Sequence, residues 1–424
     1  MRFLISAVVA AAAISSVVAQ GPQPPPRCGS MRTRRSAHSL SNEDWQRIGR
    51  VLAQMHDDGH IDRFARAHQA LFEFVHGSTT FFPFHRKFVQ EFEDIGRQID
   101  PDFTVPYWDS TRDYRDPASS PILRNNTLGG NGRGPNSCLP DGIQGQWNMQ
   151  FPGDHCLRRQ FDNGDSIRPW IPAEVISSFI QSDDWISVFR EDIEYGIHGA
   201  VHLGLGGDAS TRFAPNDFFF FMHHANIDRL WWLWQNSHFM LDYNGPGPNG
   251  EASLDDVIPQ NDDVDFGGAR VGSVMVLGYE DNCYTYDSAP GAPSSYPGFE
   301  SDGPDRIIHG SQIPMPAFSG SSDVSGFGLE IMRMRRALSG DSALKQFYPG
   351  VAALESSRNM GADMANVDEC SCQERMAKRL LYPAPMTDSW IKMHKFDPHR
   401  IAQAYQKTCR LIDRLNNSTY VSPY

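Results

Sequence analysis

Long apolar runs are scarce in this chain of 424 residues. Past the N-terminus, no stretch is long enough to cross a bilayer, which argues against a membrane-spanning protein. Positive charge is in deficit. Lys and Arg number 38 against 51 Asp and Glu, a net charge of -13, which disfavours nucleic acid and anionic membrane as partners. Cysteine occurs only 7 times, and none of the spacings is that of a structural zinc site. A GxSxG nucleophile elbow is missing. So is the HExxH of zinc proteases: HGAVH (198–202) has Gly199 where that motif needs its general base.

The apolar segment that does occur is N-terminal. Arg2, the run Phe3 to Val18 and the small residues before Gln20 read as a secretory signal over 1–19, cleaved after Ala19. An extracellular product follows, consistent with glycosylation sequons at Asn125, Asn416 and Asn417. On that route the cysteines imply up to three disulfides and one unpaired thiol. Cys138 and Cys156 bracket a short loop and suit a local pair. Cys370 and Cys372 are expected to reach different partners among Cys28, Cys283 and Cys409.

The mature length is compatible with two ordinary domains, but the candidate site residues below spread over the whole first half. That spread indicates one large, mainly α domain over 20–290, built on an antiparallel four-helix bundle with long loops and a few short strands. The Gly-, Pro-, Asn- and Asp-rich stretches 111–169 and 243–268 read as loops, and 271–287 as a source of short strands. Residues 291–424 read as a connector followed by a mostly helical extension packed on the core. Its last helix opens near Pro398 and carries Ile401, Tyr405, Thr408, Ile412 and Leu415 on one face. The stretch 327–340 fits strand or helix, and Lys378-Arg379 is a possible dibasic cleavage point set against the cysteines that would staple this tail.

Six histidines fall into two groups of three. His198 and His202 lie one helical turn apart and project from one face. In APNDFFFFMHHANIDRLWWLWQ (214–235), Phe220, His224, Ile227, Trp231 and Trp234 step by four, three, four and three, whereas His223 sits about 100° round the helix. The stripe selects His224 as the third member. In the first group, Phe64, His68, Leu71 and Val75 form a stripe ending near Gly77, His76 closes that helix, and His85 opens the next stripe with Phe88, Phe92, Ile95 and Ile99. Any single one of these is more often a satisfied core histidine. Six buried imidazoles without partners would cost roughly 1 to 3 kcal/mol each, so two shared metal ions are the more economical account.

Neither trio contains a carboxylate or thiolate, which favours copper, zinc or nickel over magnesium, calcium or manganese. A hydrolytic metal pair would normally add bridging carboxylates. Neutral imidazoles suit a metal that changes charge, and two such ions together move two electrons. Copper fits best. Asp228, one turn beyond His224, is placed to accept a proton from an imidazole or to pair with Arg86 or Arg229.

HGSTTFFPFHR (76–86), HGAVHLGLGG (198–207) and the 214–235 segment resemble the two copper signatures of the tyrosinase, catechol oxidase and hemocyanin superfamily, over about Cys28 to Tyr286, where CYTYD resembles the tyrosine motif that closes the family's core. The resemblance implies two copper ions, one on His68, His76 and His85 and the other on His198, His202 and His224. It implies the oxidation of o-diphenols to o-quinones, with electrons passed to dioxygen, which ends as water. Small phenols and dioxygen would be the partners, and the sequence is silent on oligomeric state.

The chain departs from the family pattern in places. Many members carry a cysteine two residues before the second ligand, joined to it by a thioether; Phe74 stands there, so no such cross-link is expected. Phe84 replaces a common tryptophan, and Asp217-Phe218 replaces Asp-Pro. Gly199 follows His198, where good monophenol hydroxylases often carry asparagine. Glu194 resembles the glutamate that, with this asparagine, holds a proton-accepting water, and its bland reading is a solvated helix carboxylate. Leu203 and Phe213 are candidates to line the substrate path. A catechol oxidase with weak monophenol hydroxylation follows, with tyrosinase or o-aminophenol oxidase activity and a hemocyanin-like oxygen carrier as the alternatives.

Overall fold

The computed structural model describes residues 26–248, 250–287, 379–417 and 422. The signal segment, the 327–340 stretch, Cys370 and Cys372 therefore lie outside the described residues.

Three short signals set the first three helices, two of which carry the first histidine group. Helix α1 (Asn42–Asp57) begins at a capping box between Ser41 and Asp44 and buries Trp45, Ile48, Val51, Leu52 and Met55. Gly59, at φ 75°, allows the chain to reverse directly into α2 (His60–Val75). A second left-handed glycine, Gly77 at φ 65°, turns α2 into α3 (Phe81–Ile99), whose Pro83 sits in the first turn where no helical N–H is required. The remaining core helices are α4 (Ala173–Ser182), α5 (Ile186–Ile193), α6 (Gly199–Leu205) and α7 (Phe219–Ser237). Between α5 and α6 the backbone widens into a π turn over Glu194–His198. Such a turn inserts a residue into the helical register and is frequent at functional positions.

Sheet is minor. Strand β1 (Arg32–Arg34) pairs in parallel with the distant Tyr284–Tyr286 strand, with Arg34 opposite Tyr286, beside the disulfide Cys28–Cys283. The local pair Cys138–Cys156 forms as expected; Cys28 and Cys283 bond to each other, and Cys409 forms no disulfide among the described residues. Cys28 and Cys283 are thus removed as partners for Cys370 and Cys372. Within 271–287 only Tyr284–Tyr286 is strand, because Val271–Val274 forms a short helix, α8.

Two buried ion networks fix α7. Asp228 accepts from Arg86 Nε (2.5 Å), Tyr284 Oη (2.6 Å) and Tyr286 Oη (2.5 Å), so α3, α7 and the closing strand meet at one carboxylate. At the start of α7, Asp217 takes two bonds from Arg159 (2.6 and 2.7 Å) and accepts from the Phe219 N–H. The Asp217-Phe218 departure therefore leaves the helix start anchored.

The tail folds back onto this core. Helix α9 (Asp388–His394) is capped by Thr387 and ends at Lys395 in the left-handed region, φ 55°. Helix α10 (Pro398–Asn416) buries Ile401, Thr408, Ile412 and Leu415 as the sequence stripe predicts, and leaves Tyr405 half-buried. Lys407 bridges Asp183 (2.6 Å) and Asp192 between α4 and α5. Asn416 bonds both polar groups of the Leu380 backbone, which occupies its amide; Asn125 and Asn417 are exposed.

Candidate metal centre

The first trio assembles as its stripes predict. His68 and His76 come from α2 and its C-cap, His85 from the second turn of α3, and ring nitrogens of all three lie within 4.8 Å of one another. A second trio converges to the same tolerance: His198, His202 and His223. The converging set includes His223, where the sequence stripe selects His224. The register argument assumed one buried face, but α7 is buried all round, and His223 and His224 are both fully enclosed. A helix without a solvent face does not tell its two neighbouring histidines apart. His224 lies at the seam, its ring 5.2 Å from His198, 5.7 Å from His202 and 4.0 Å from His85.

Backbone carbonyls fix the tautomer of five of these rings. Nδ1 of His76, His85 and His198 donates to the carbonyl four residues earlier, at Phe72 (3.0 Å), Phe81 (2.8 Å) and Glu194 (3.4 Å). His68 donates to Arg212 O (2.7 Å) and His202 to Ala209 O (2.5 Å). A proton on Nδ1 leaves the Nε2 lone pair for a ligand. Nε2 of His68, His85, His198 and His202 is buried without a hydrogen-bond partner, as are both ring nitrogens of His223 and His224. Burial holds the rings neutral, pulling His68 down to about 3 and His202 to about 4. Neutral imidazoles with free Nε2 atoms fit the donor set of a copper pair.

Arg86 and Asp228 stand behind this shell, paired with each other. Asp228 meets no ligand imidazole, and Arg229 instead lies 3.7 Å from Asp109. Carbonyls do the orienting that a carboxylate was expected to do.

Glu194 is fully buried in the π turn, not solvated. Its carboxylate accepts from the Gly77 N–H (2.7 Å) and from Arg190 Nη1 (2.5 Å). Burial raises it to about 7, against the opposing pull of Arg190 and the Gly77 N–H. Phe74 is 65% exposed and points away from the imidazoles. Phe213 packs beside Phe151 and His155. Leu203 packs with Trp390, Phe396 and Ile401.

Those last contacts reveal what sequence reasoning missed. Trp390 lies 5.5 Å from His202 and 6.3 Å from His198, and His394 lies 5.0 Å from His76. Phe396 packs against His394 and Tyr195. A Cβ on Gly199 would meet Met386 Cε at 2.6 Å and Trp390 Nε1 at 3.4 Å. The segment from Met386 to Phe396 therefore lies over the imidazoles. Arg212 ties the two together: its carbonyl holds His68 while its guanidinium donates to Met393 O (3.0 Å). The spacing of Trp390 and His394, one turn apart like His198 and His202, was the available signal.

Comparison with known proteins agrees with this geometry. The family model described as the common central domain of tyrosinase matches residues 50–237. A tyrosinase of Streptomyces antibioticus is 32% identical over 259 residues, covering 55% of this chain and 94% of that protein. Tyrosinase ustQ of Aspergillus flavus is 30% identical over 297 residues, covering 62% and 81%. The fold is shared with a mutant polyphenol oxidase of Thermothelomyces thermophila, at 21% identity and a TM-score of 0.50, over 62% of this chain and 90% of that one. Two converging histidine trios and this similarity place the chain in the tyrosinase family of dicopper oxidoreductases.

Proposed function

We propose that the chain is an extracellular catechol oxidase with weak monophenol hydroxylation. Copper would be held by His68, His76 and His85, and by His198, His202 and His224. His224 is preferred over His223 because the family resemblance assigns it and its ring lies between the two groups, 4.0 Å from His85 and 5.2 Å from His198. The copper pair supplies the two-electron oxidation: two o-diphenols become two o-quinones as one dioxygen becomes two waters.

The chain's own residues bear on the choice of phenol. A diphenol brings two acidic hydroxyls to the metals; a monophenol depends more on a protein-held base. The observation that carries the reading is that Glu194 already takes bonds from Gly77 and Arg190, while Gly199 offers no side-chain acceptor beside His198. No asparagine amide helps it to hold a water. Trp390, His394 and Phe396 stand where a phenol ring would approach, so turnover requires the tail to shift or to be removed. Leu203 belongs to the contact with that tail, and Phe213 to packing with Phe151 and His155.

Oxygen-electrode rates on matched monophenols and diphenols, with the tail released, test this reading. Rapid diphenol oxidation with slow monophenol turnover supports it, comparable rates indicate a tyrosinase, and oxygen binding without turnover indicates a carrier.

A further inference from the structure

We propose that His394 is an additional protein ligand to the copper held by His68, His76 and His85, so that the tail closes the site by ligation as well as by bulk. This rests on the dicopper reading above.

His394 carries the same preparation as the ligands themselves. It is 6% exposed, and its Nδ1 donates to the Trp390 carbonyl four residues earlier at 3.0 Å. This is the anchoring that His76, His85 and His198 receive from Phe72, Phe81 and Glu194. The same tautomer follows, with the lone pair on Nε2. That Nε2 is buried without a hydrogen-bond partner, like those of His68, His85, His198 and His202. Aromatic rings surround it: Trp390 at 4.0 Å, Phe72 at 4.6 Å and Phe396 at 4.7 Å between centroids. None of them accepts or donates at Nε2.

Its placement relative to His76 matches that of a co-ligand; its nitrogen lies outside the three that converge within 4.8 Å, so ligation draws the ring inward from the His76 side. His394 lies 5.0 Å from His76 with the planes at 87°, against 5.2 Å and 88° between His68 and His76. Both sides of the residue are pinned. Arg212 holds the Met393 carbonyl, and Lys395 Nζ reaches Glu73 at 2.7 Å. Glu73 and Arg212 also pair with each other, so the turn carrying His394 is fastened to the helix carrying His68. A side chain held for bulk alone needs neither the fixed tautomer nor a buried free nitrogen.

Two measurements on the full-length, metal-loaded chain test the proposal. In the cobalt(II)-loaded wild type, proton NMR counts the strongly shifted exchangeable ring N–H signals. One signal beyond those of the trio ligands, lost in His394→Phe, is the expected result; no signal assignable to His394 overturns the proposal. In the copper-loaded protein, azide is titrated against wild type and His394→Phe, which retains the bulk. Azide binds about tenfold more tightly or better to the variant if a metal position has been freed. Equal affinity overturns ligation and leaves a steric cover. Copper is counted in the same samples, and a wild-type content below two per chain overturns the dicopper reading itself, and this ligand with it.

Discussion

The imidazoles of His85 and His224 stack with centroids 4.0 Å apart and planes 10° from parallel. This contact joins the second turn of α3 to the second turn of α7, and thereby sets His224 against the first histidine trio. If His224 is the third ligand of the second copper, His224→Ala falls from two copper ions per chain to about one and loses diphenol oxidation, while His223→Ala retains both ions. Copper analysis of the two purified variants decides it, and the reverse pattern transfers the role to His223.

Gly199→Asn raises the ratio of monophenol to diphenol turnover. The new side chain must displace the flexible end of Met386, which would lie 2.6 Å from its Cβ. Absolute rates therefore reflect the tail as well, and the ratio, measured with the tail released, isolates the effect on phenol choice. An unchanged ratio removes Gly199 from the account.

Lys407 is the cation between Asp183 and Asp192 where α10 meets α4 and α5. Lys407→Met leaves two buried carboxyls without it and weakens docking by roughly 1 to 3 kcal/mol. The variant is expected to oxidise diphenols severalfold faster before any proteolysis and to be cut more readily near Arg379. A rate equal to wild type would separate α10 docking from access to the site.

Asp183 gives the same contact a pH signature. Burial, and then the neighbouring Asp192, raise its carboxyl to about 8 despite Lys407. The folded chain therefore retains a proton there that the unfolded chain releases near 4. The stability from this group is complete below about pH 4 and is lost as pH rises through about 8. Melting temperatures of wild type and Asp183→Asn, compared over that window, should show the wild type losing ground steadily. A constant difference contradicts the assignment.

Asp228 holds Arg86 together with the hydroxyls of Tyr284 and Tyr286. Asp228→Ala leaves that guanidinium buried and uncompensated, a loss of about 3 to 5 kcal/mol. Denaturant titration measures it. Because this carboxylate orients no imidazole, copper bound by whatever fraction folds should remain at two per chain.

Much of this was legible in the chain. His68 and His85 lie on apolar stripes of ordinary amphipathic helices, and the stripe reading places them correctly. On α7 the stripe selects His224, but no polar face orients the helix and His223 is equally enclosed, so burial alone does not separate the two. For Glu194 the sequence leaves a water-holding base and a solvated carboxylate open; the π turn that buries it against Gly77 and Arg190 adds a residue that no local pattern announces. The α10 stripe was visible, as was the i to i+4 spacing of Trp390 and His394. What they cover depends on contacts such as Lys395 with Glu73, 322 residues apart in sequence, which periodicity does not encode.

The central claim is a pair of copper ions on histidine trios. Elemental analysis of active, full-length protein tests it most directly: the account predicts two copper atoms per chain, falling in step with diphenol oxidation as copper is chelated. One metal per chain, or full activity with another element bound, would contradict it.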